Sequence, residues 1–366
     1  MLVSPKLVSP MLLNSSCRLF LTLLLLLATS ACASQAETIT APPGQSPAPS
    51  GASATGDKDS AAAEQKPEVD AGFAPWLADL TAEALSQGIS EATLEDALTD
   101  LAPIPRAVKA AKTQAEEVFT TSQYLARMIS EFRIREGARQ ISEKKALFER
   151  VADTYGVQPA YLAALWAIES DFGRGKPRFP LIGALATQAW QGRRQKFFRR
   201  ELLAALTILD QEQMKSADLR GSWAGASGLF QFMPTSYLHY AVDFNEDGKR
   251  NIWTDPADAL ASAAHFLVKA HWQPGQEWGL SIPLPEKFDP ALAGLKIRKP
   301  LKEWRSLGIV EAQGPDDQQA SLLLPDGPGG PAFLVFDNFR VLMRWNRSTS
   351  FALTIGQLAD LIRAVR

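Results

Sequence analysis

At 366 residues, with 46% hydrophobic and 21% charged residues, the chain can bury one large core or two modest ones. A formal net charge of −2 supplies no global positive field, so no nucleic-acid partner is expected, and the basic run Arg193, Arg194, Lys196, Arg199 and Arg200 reads as a solvated helix face or a local anion site. Both cysteines, Cys17 and Cys32, lie near the N-terminus and His239, His265 and His271 are scattered, which excludes thiolate zinc sites, cysteine nucleophiles and a histidine metal centre from the rest of the chain.

Lys6 and Arg18 precede the apolar run Leu19 to Ala28, which is too short to span a bilayer comfortably and is followed by small residues. Residues 1–33 therefore read as an export signal, with two ways of processing it. Ala31-Cys32-Ala33 fits a small-x-small cleavage site, whereas Ala28-Thr29-Ser30-Ala31-Cys32 resembles a lipobox in which Thr29 replaces the usual leucine. The second reading is preferred, with Cys32 lipidated and attached to a membrane, because the other cysteine is also in the leader and a polar stretch follows. Residues 34–70, rich in Ala, Pro, Ser, Gly and Thr, hold too little apolar surface to offset the entropy of ordering and are expected to be a disordered tether.

Residues 71–366 read as one helix-dominated domain with subdomains, since no second linker interrupts them. Phe73, Trp76, Leu77, Leu80 and Ala84 set out a first helix, and a second spans Glu91 to Leu101 after the capping Ser90. Helical periodicity continues through Tyr124–Ile141, Ser142–Tyr155, Pro159–Ser170, Phe198–Gln213, Asp258–His271 and Gly356–Val365. Strands are expected only at Leu181-Ile182, Ser321–Leu324 and Phe333–Phe336, the last after the turn Asp326-Gly327-Pro328-Gly329-Gly330-Pro331.

The helix beginning at Pro159 carries Leu162, Leu165, Trp166 and Glu169 at spacings that place them on one face, with Gly173 suited to a left-handed stop. A glutamate among apolar neighbours either meets a cation, Arg174 being the nearest candidate, or has its carboxyl pKa raised by desolvation. An acid held protonated near neutral pH suits the cleavage of a glycosidic bond, whose leaving oxygen needs a proton. A second segment, Gly221 to Tyr237, spaces glycines with small residues, so that backbone can approach a ligand closely, and adds the polar groups of Ser222 and Gln231. The same pattern also fits a tight packing turn leading into a helix after Pro234.

Together, Glu169-Ser170-x-Phe172-Gly173, Gly225-Ala226-x-Gly228-x-x-Gln231-Phe232-Met233-Pro234-x-Ser236-Tyr237, Asp337-Asn338-Phe339-Arg340 and Trp345-Asn346-Arg347-Ser348 resemble the membrane-bound lytic murein transglycosylase B family, from about Phe73 to the C-terminus. The resemblance implies a mainly α (α+β) fold, with a lysozyme-like catalytic core embedded in a larger helical domain and a small β element. It implies cleavage of peptidoglycan glycan strands without water, Glu169 acting first as acid and then as base, so that no second carboxylate and no catalytic cofactor is needed. Ser222 and Gln231 correspond to residues lining the site, and Asn346 belongs to the last signature. Arg193 and Arg194 match an arginine pair expected to meet lactyl or peptide carboxylates. Phe266, Trp345 and Phe351 stand where relatives often have tyrosines around the cleft, so phenol-dependent roles are lost at all three, and Leu229-Phe230 departs from the smaller or polar pair usual before that glutamine. The expected protein is a monomer in the periplasm, anchored to the outer membrane if Cys32 is lipidated.

Asp243-x-Asn245-x-Asp247-Gly248 opens like a calcium loop, with the Lys249 carbonyl as a further ligand and Asp258 closing a longer loop, as in some relatives. The alternative is a solvated turn neutralised by Lys249 and Arg250; any calcium bound there is expected to be structural. Two other functions remain open at this point: a peptidoglycan-binding scaffold without turnover, and a hydrolytic muramidase. Retention of Glu169, Ser222 and Gln231 argues against the scaffold, while the altered aromatics keep it in play.

Overall fold

Residues 72–116 and 119–365 are described by the computed structural model. The signal, the whole tether and Cys32 lie outside the described residues. The chain opens with α1 (Phe73–Ser86), α2 (Glu91–Leu98), started by the Ser90 side chain, and α3 (Pro105–Glu116). The stretch expected as one helix from Tyr124 to Ile141 is two, α4 (Thr121–Met128) and α5 (Glu131–Glu143). Thr120 and Gln123 close a capping box on α4, and the Ser130 hydroxyl accepts the Arg133 N–H to start α5. Two strong N-terminal caps in succession favour a break over a continuous helix. Next come α6 (Lys145–Tyr155), stopped by Gly156 at φ +67°, and α7 (Pro159–Ser170).

Leu181-Ile182, expected as a strand, instead opens α8 (Leu181–Gln191). Every residue from Leu181 to Ala189 is buried, so the sequence lacks the polar face that distinguishes a helix from a buried strand. Strand β1 is the short Phe179–Pro180, paired with β2 (Arg220–Gly221). Between them α9 (Gln195–Glu212) packs on α8. The next helices are α10 (Pro234–Tyr240) and α11 (Pro256–Lys269), the latter capped by Asp255. Then β3 (Gly279–Ile282), β4 (Lys299–Pro300), α12 (Leu301–Ser306), β5 (Gln319–Leu323) and β6 (Ala332–Val335) build an antiparallel sheet of order β3-β6-β5-β4, with Leu334 in register with both Leu280 and Leu322. Helices α13 (Asp337–Trp345) and α14 (Thr349–Ala364), the second capped by Ser348, complete the described chain.

Helix α7 is the axis of the largest core. α14, α5, α6 and α11 pack around it, and every residue from Ala160 to Ser170 is buried. A helix apolar all round belongs inside a protein rather than at its surface. The face shared by Leu162, Leu165, Trp166 and Glu169 is therefore one of several buried faces, not an apolar stripe opposite a solvated one. A second apolar cluster joins α1, α2, α8 and α9, and a third fills the space between the sheet and α12.

Candidate active site

Glu169 lies in the last turn of α7, which ends because Asp171 and Phe172 turn left-handed at φ 53° and 60°, ahead of Gly173 at φ +80°. The residue is only 7% exposed, and burial pushes its carboxyl pKa from 4.5 up to about 8. One group opposes that shift: the Trp345 indole N–H, which donates to Glu169 Oε1 at 2.7 Å. Arg174 does not neutralise the acid; its guanidinium stacks over the Phe132 ring, 4.6 Å from the centroid. The Asp171 carboxylate turns away to Arg133, 3.4 Å from its Nε.

The Gly221–Tyr237 segment is tied to the end of this helix. Ser170 Oγ donates to the Leu229 carbonyl at 2.6 Å and accepts the Gly173 N–H at 3.0 Å. Gly228, at φ +78°, lies so close to the following loop that an added Cβ would sit 2.8 Å from the Ile252 carbonyl oxygen, while Leu229 N–H donates to that oxygen at 2.9 Å. Ser222 Oγ accepts the N–H groups of Ala224 and Ala226 at 3.3 and 3.1 Å, which leaves its proton available to donate. Gln231 holds a left-handed backbone at φ 49° and donates from Nε2 to the Gly228 carbonyl at 2.9 Å, leaving its amide oxygen as an acceptor. A left-handed non-glycine is costly enough that the surrounding turn must impose it.

Phe230, Phe232 and Phe266 meet the Trp345 ring edge-on, with centroids 6.3, 5.4 and 4.8 Å away. Phe351 differs from the expectation of a cleft aromatic: it is 2% exposed within the main core and has no open face for a sugar. Asn346 is also buried, its side-chain oxygen accepting the Ser348 N–H at 3.0 Å ahead of α14. Sequence reasoning passed over Tyr124 of α4, whose phenol is pushed up by burial and by the charge of Glu169, with Arg133 opposing. Nothing in a single sequence signals that proximity, because it arises from α4 packing on α14, which in turn packs on α7.

Residues 72–360 match the Transglycosylase SLT domain family. The chain belongs to this family. Membrane-bound lytic murein transglycosylase B of Escherichia coli (strain K12) is 32% identical over 248 residues, 67% of this chain and 68% of that protein. The crystal structure of Pseudomonas aeruginosa SltB3 in complex with NAG-anhNAM-pentapeptide is 40% identical with a TM-score of 0.76, covering 80% of this chain and 79% of that one. Escherichia coli Slt35 in complex with calcium is 28% identical with a TM-score of 0.69, covering 80% of this chain and 93% of that one.

Within this transglycosylase domain, Arg193 and Arg194 lie just before α9, the Arg194 guanidinium 4.0 Å from the Phe197 ring centroid. Their helix packs mostly into the second apolar cluster, with Ile208 reaching the main core around α7. In the acidic loop, the Asp247 N–H donates to Asp243 Oδ1 and Asn245 Oδ1 at 3.1 and 3.0 Å, which draws those oxygens together. Asp247 Oδ1 accepts the Lys249 N–H at 2.9 Å. Asp258, fully buried at the start of α11, accepts the N–H groups of Phe244 and Asn251 at 2.8 Å each. Among the described residues, no group of three or more His, Cys, Asp or Glu side chains is arranged to hold a metal ion. The oxygens of Asp243, Asn245, Asp247, the Lys249 carbonyl and Asp258 have the hard chemistry calcium takes, and each of these side chains accepts backbone N–H groups in this structure.

Proposed function

We propose that the chain is a lytic transglycosylase that cleaves the MurNAc–GlcNAc β-1,4 bond of peptidoglycan and leaves 1,6-anhydromuramoyl ends. The observation that carries this reading is a buried Glu169 with a carboxyl raised to about 8, no paired cation among the described residues, and its nearest sequence carboxylate, Asp171, turned to Arg133. Glu169 is then largely protonated at neutral pH and can give its proton to the glycosidic oxygen as the bond to the anomeric carbon breaks. The carboxylate this leaves is poorly solvated and takes up a proton readily. It removes one from the muramoyl C6 hydroxyl, whose oxygen attacks the anomeric carbon and closes the anhydro ring. The acid is restored, no water is consumed, and a partner carboxylate of the kind hydrolytic glycosidases use has no task. Ser222, with its free proton, and Gln231, with its free oxygen, provide a donor and an acceptor for the sugars.

Mass spectrometry of murein digested by the wild-type protein and by Glu169→Gln tests this. Anhydromuramoyl products from the wild type alone are expected. Reducing muramoyl ends would mean attack by water, and an absence of products would leave a binding scaffold. The proposed location is the periplasm, with lipidated Cys32 as the anchor, and palmitate labelling lost in Cys32→Ala is the expected outcome. A structural calcium ion on Asp243, Asn245, Asp247, the Lys249 carbonyl and Asp258 completes the proposal. It is checked by a calcium-dependent rise in thermal midpoint that Asp243→Ala removes.

A further inference from the structure

A carboxylic acid has two unequal oxygens, a hydroxyl that carries the proton and a carbonyl that is much the better acceptor. For Glu169 to give up a proton and later recover one from a fixed substrate, the identity of the proton-carrying oxygen has to be settled. An indole N–H is a donor with no acceptor capacity, unlike a phenol, which can turn its proton away and accept instead. Trp345 Nε1 lies 2.7 Å from Oε1 of Glu169. Its ring is held edge-on by Phe266, Phe232 and Phe230, at centroid separations of 4.8, 5.4 and 6.3 Å, so it cannot swing aside without disturbing three other rings. Burial leaves little water to compete at the carboxyl.

We propose that Trp345 is a positioning residue which fixes Oε1 of Glu169 as the permanent acceptor and so makes Oε2 the oxygen that both delivers and recovers the proton. This rests on the acid-then-base reading of Glu169. In the first half-step the Oε2–H bond breaks as the bond from that proton to the glycosidic oxygen forms. In the second, the C6 O–H bond breaks and the Oε2–H bond forms again. The Nε1–H···Oε1 hydrogen bond persists throughout, strengthening while the carboxylate is charged, with no rotation of either side chain. Glu169 would then perform both transfers from one geometry, and the two substrate oxygens would meet the same carboxyl oxygen in turn.

The test is infrared spectroscopy of the resting protein with isotopically labelled glutamate, the Glu169 band being assigned by its loss in Glu169→Gln. With Oε1 as carbonyl and indole acceptor, Trp345→Phe is expected to move the protonated C=O stretch to higher wavenumber. It should also raise the titration midpoint of Glu169 by about one pH unit and lower kcat about tenfold with little change in KM. Trp345→Tyr, which restores a donor, should return the band towards its original position. Should Trp345→Phe fold poorly, a benzothiophene analogue of tryptophan at position 345 keeps the shape and removes only the N–H. An unchanged C=O stretch in a folded variant lacking the N–H would overturn the assignment. Because that measurement needs no turnover, it stands apart from the product analysis: murein digestion without anhydromuramoyl ends would remove the acid-then-base reading whatever the infrared band does.

Discussion

At the end of α7 a buried glutamate, Glu169, meets a single indole N–H. On α9 another, Glu201, is fully buried but accepts the Thr235 N–H at 3.0 Å and the Thr235 hydroxyl at 2.9 Å, with Arg200 Nη2 3.4 Å away. Both carboxyl groups have left water, so burial alone does not decide what they do. The number of donors does. Where the fold supplies a backbone N–H, a hydroxyl and a guanidinium, the carboxylate becomes a fastener that holds the first turn of α10 against α9. Where it supplies one weak donor, the charged form is left unstable and the group becomes a proton donor. Asp258 also accepts backbone N–H groups from the loop it closes, yet burial still pushes its carboxyl up, so the donors there offset the loss of water without cancelling it.

The same isosteric change at the two glutamates should separate them. Glu169→Gln is expected to lower transglycosylase activity about 10²- to 10⁴-fold, the range typical of a lost general acid–base. Its effect on stability should run the other way. A carboxyl at about 8 in the folded protein and near 4.5 when unfolded means that, between those values, the folded state holds a proton the unfolded state releases. This contribution to stability is fully present below pH 4.5 and is lost as pH rises to about 8, at up to about 1.4 kcal/mol per pH unit. Glutamine has no proton to lose, so urea unfolding from pH 5 to 8.5 should show a gain over wild type that grows with pH. Parallel stability profiles for the two proteins would mean that Glu169 is charged in the fold. Glu201→Gln should instead cost about 1–3 kcal/mol, through weakened bonds to Thr235 and Arg200, with activity per folded molecule unchanged. A large loss of turnover in that variant, at full stability, would break the comparison.

How far this contrast was legible in the sequence follows from the range of the interactions involved. Helix α7 was readable to its ends because Pro159 and the turn at Gly173 are local signals, and Glu169 was visible as an acid in an apolar run. Its choice between a cation and solitude was not readable, since the answer lies in Arg174 stacking on Phe132 and in an indole 176 positions further along. The resemblance to transglycosylases placed Trp345 near the cleft but could not say that its N–H would be aimed at the acid. Phe351, 2% exposed, shows a related limit: a position where relatives have a cleft tyrosine does not reveal whether this ring faces a cleft or fills a core. Leu181-Ile182 failed at a shorter range, where a helix buried on every side carries no periodicity to read.

The smallest expected effect concerns the joint between the acid and its wall. Ser170 follows Glu169 directly, and its hydroxyl bonds both the Leu229 carbonyl, at 2.6 Å, and the Gly173 N–H, at 3.0 Å. Ser170→Ala removes no charge and little volume, so its consequences trace to those two bonds. Leaving them unmade should cost about 1 kcal/mol in stability, measured by urea unfolding. The rate should also fall, because the Gly228–Gln231 turn is held against the end of α7 through this side chain, and a slightly misplaced wall weakens alignment of the sugar with the acid. A drop of up to about tenfold in kcat is expected, with the pH profile of Glu169 unmoved, since Ser170 does not touch that carboxyl. A shifted pH profile would instead tie Ser170 to the charge of the acid, and the solitary character of Glu169 would then have to be given up.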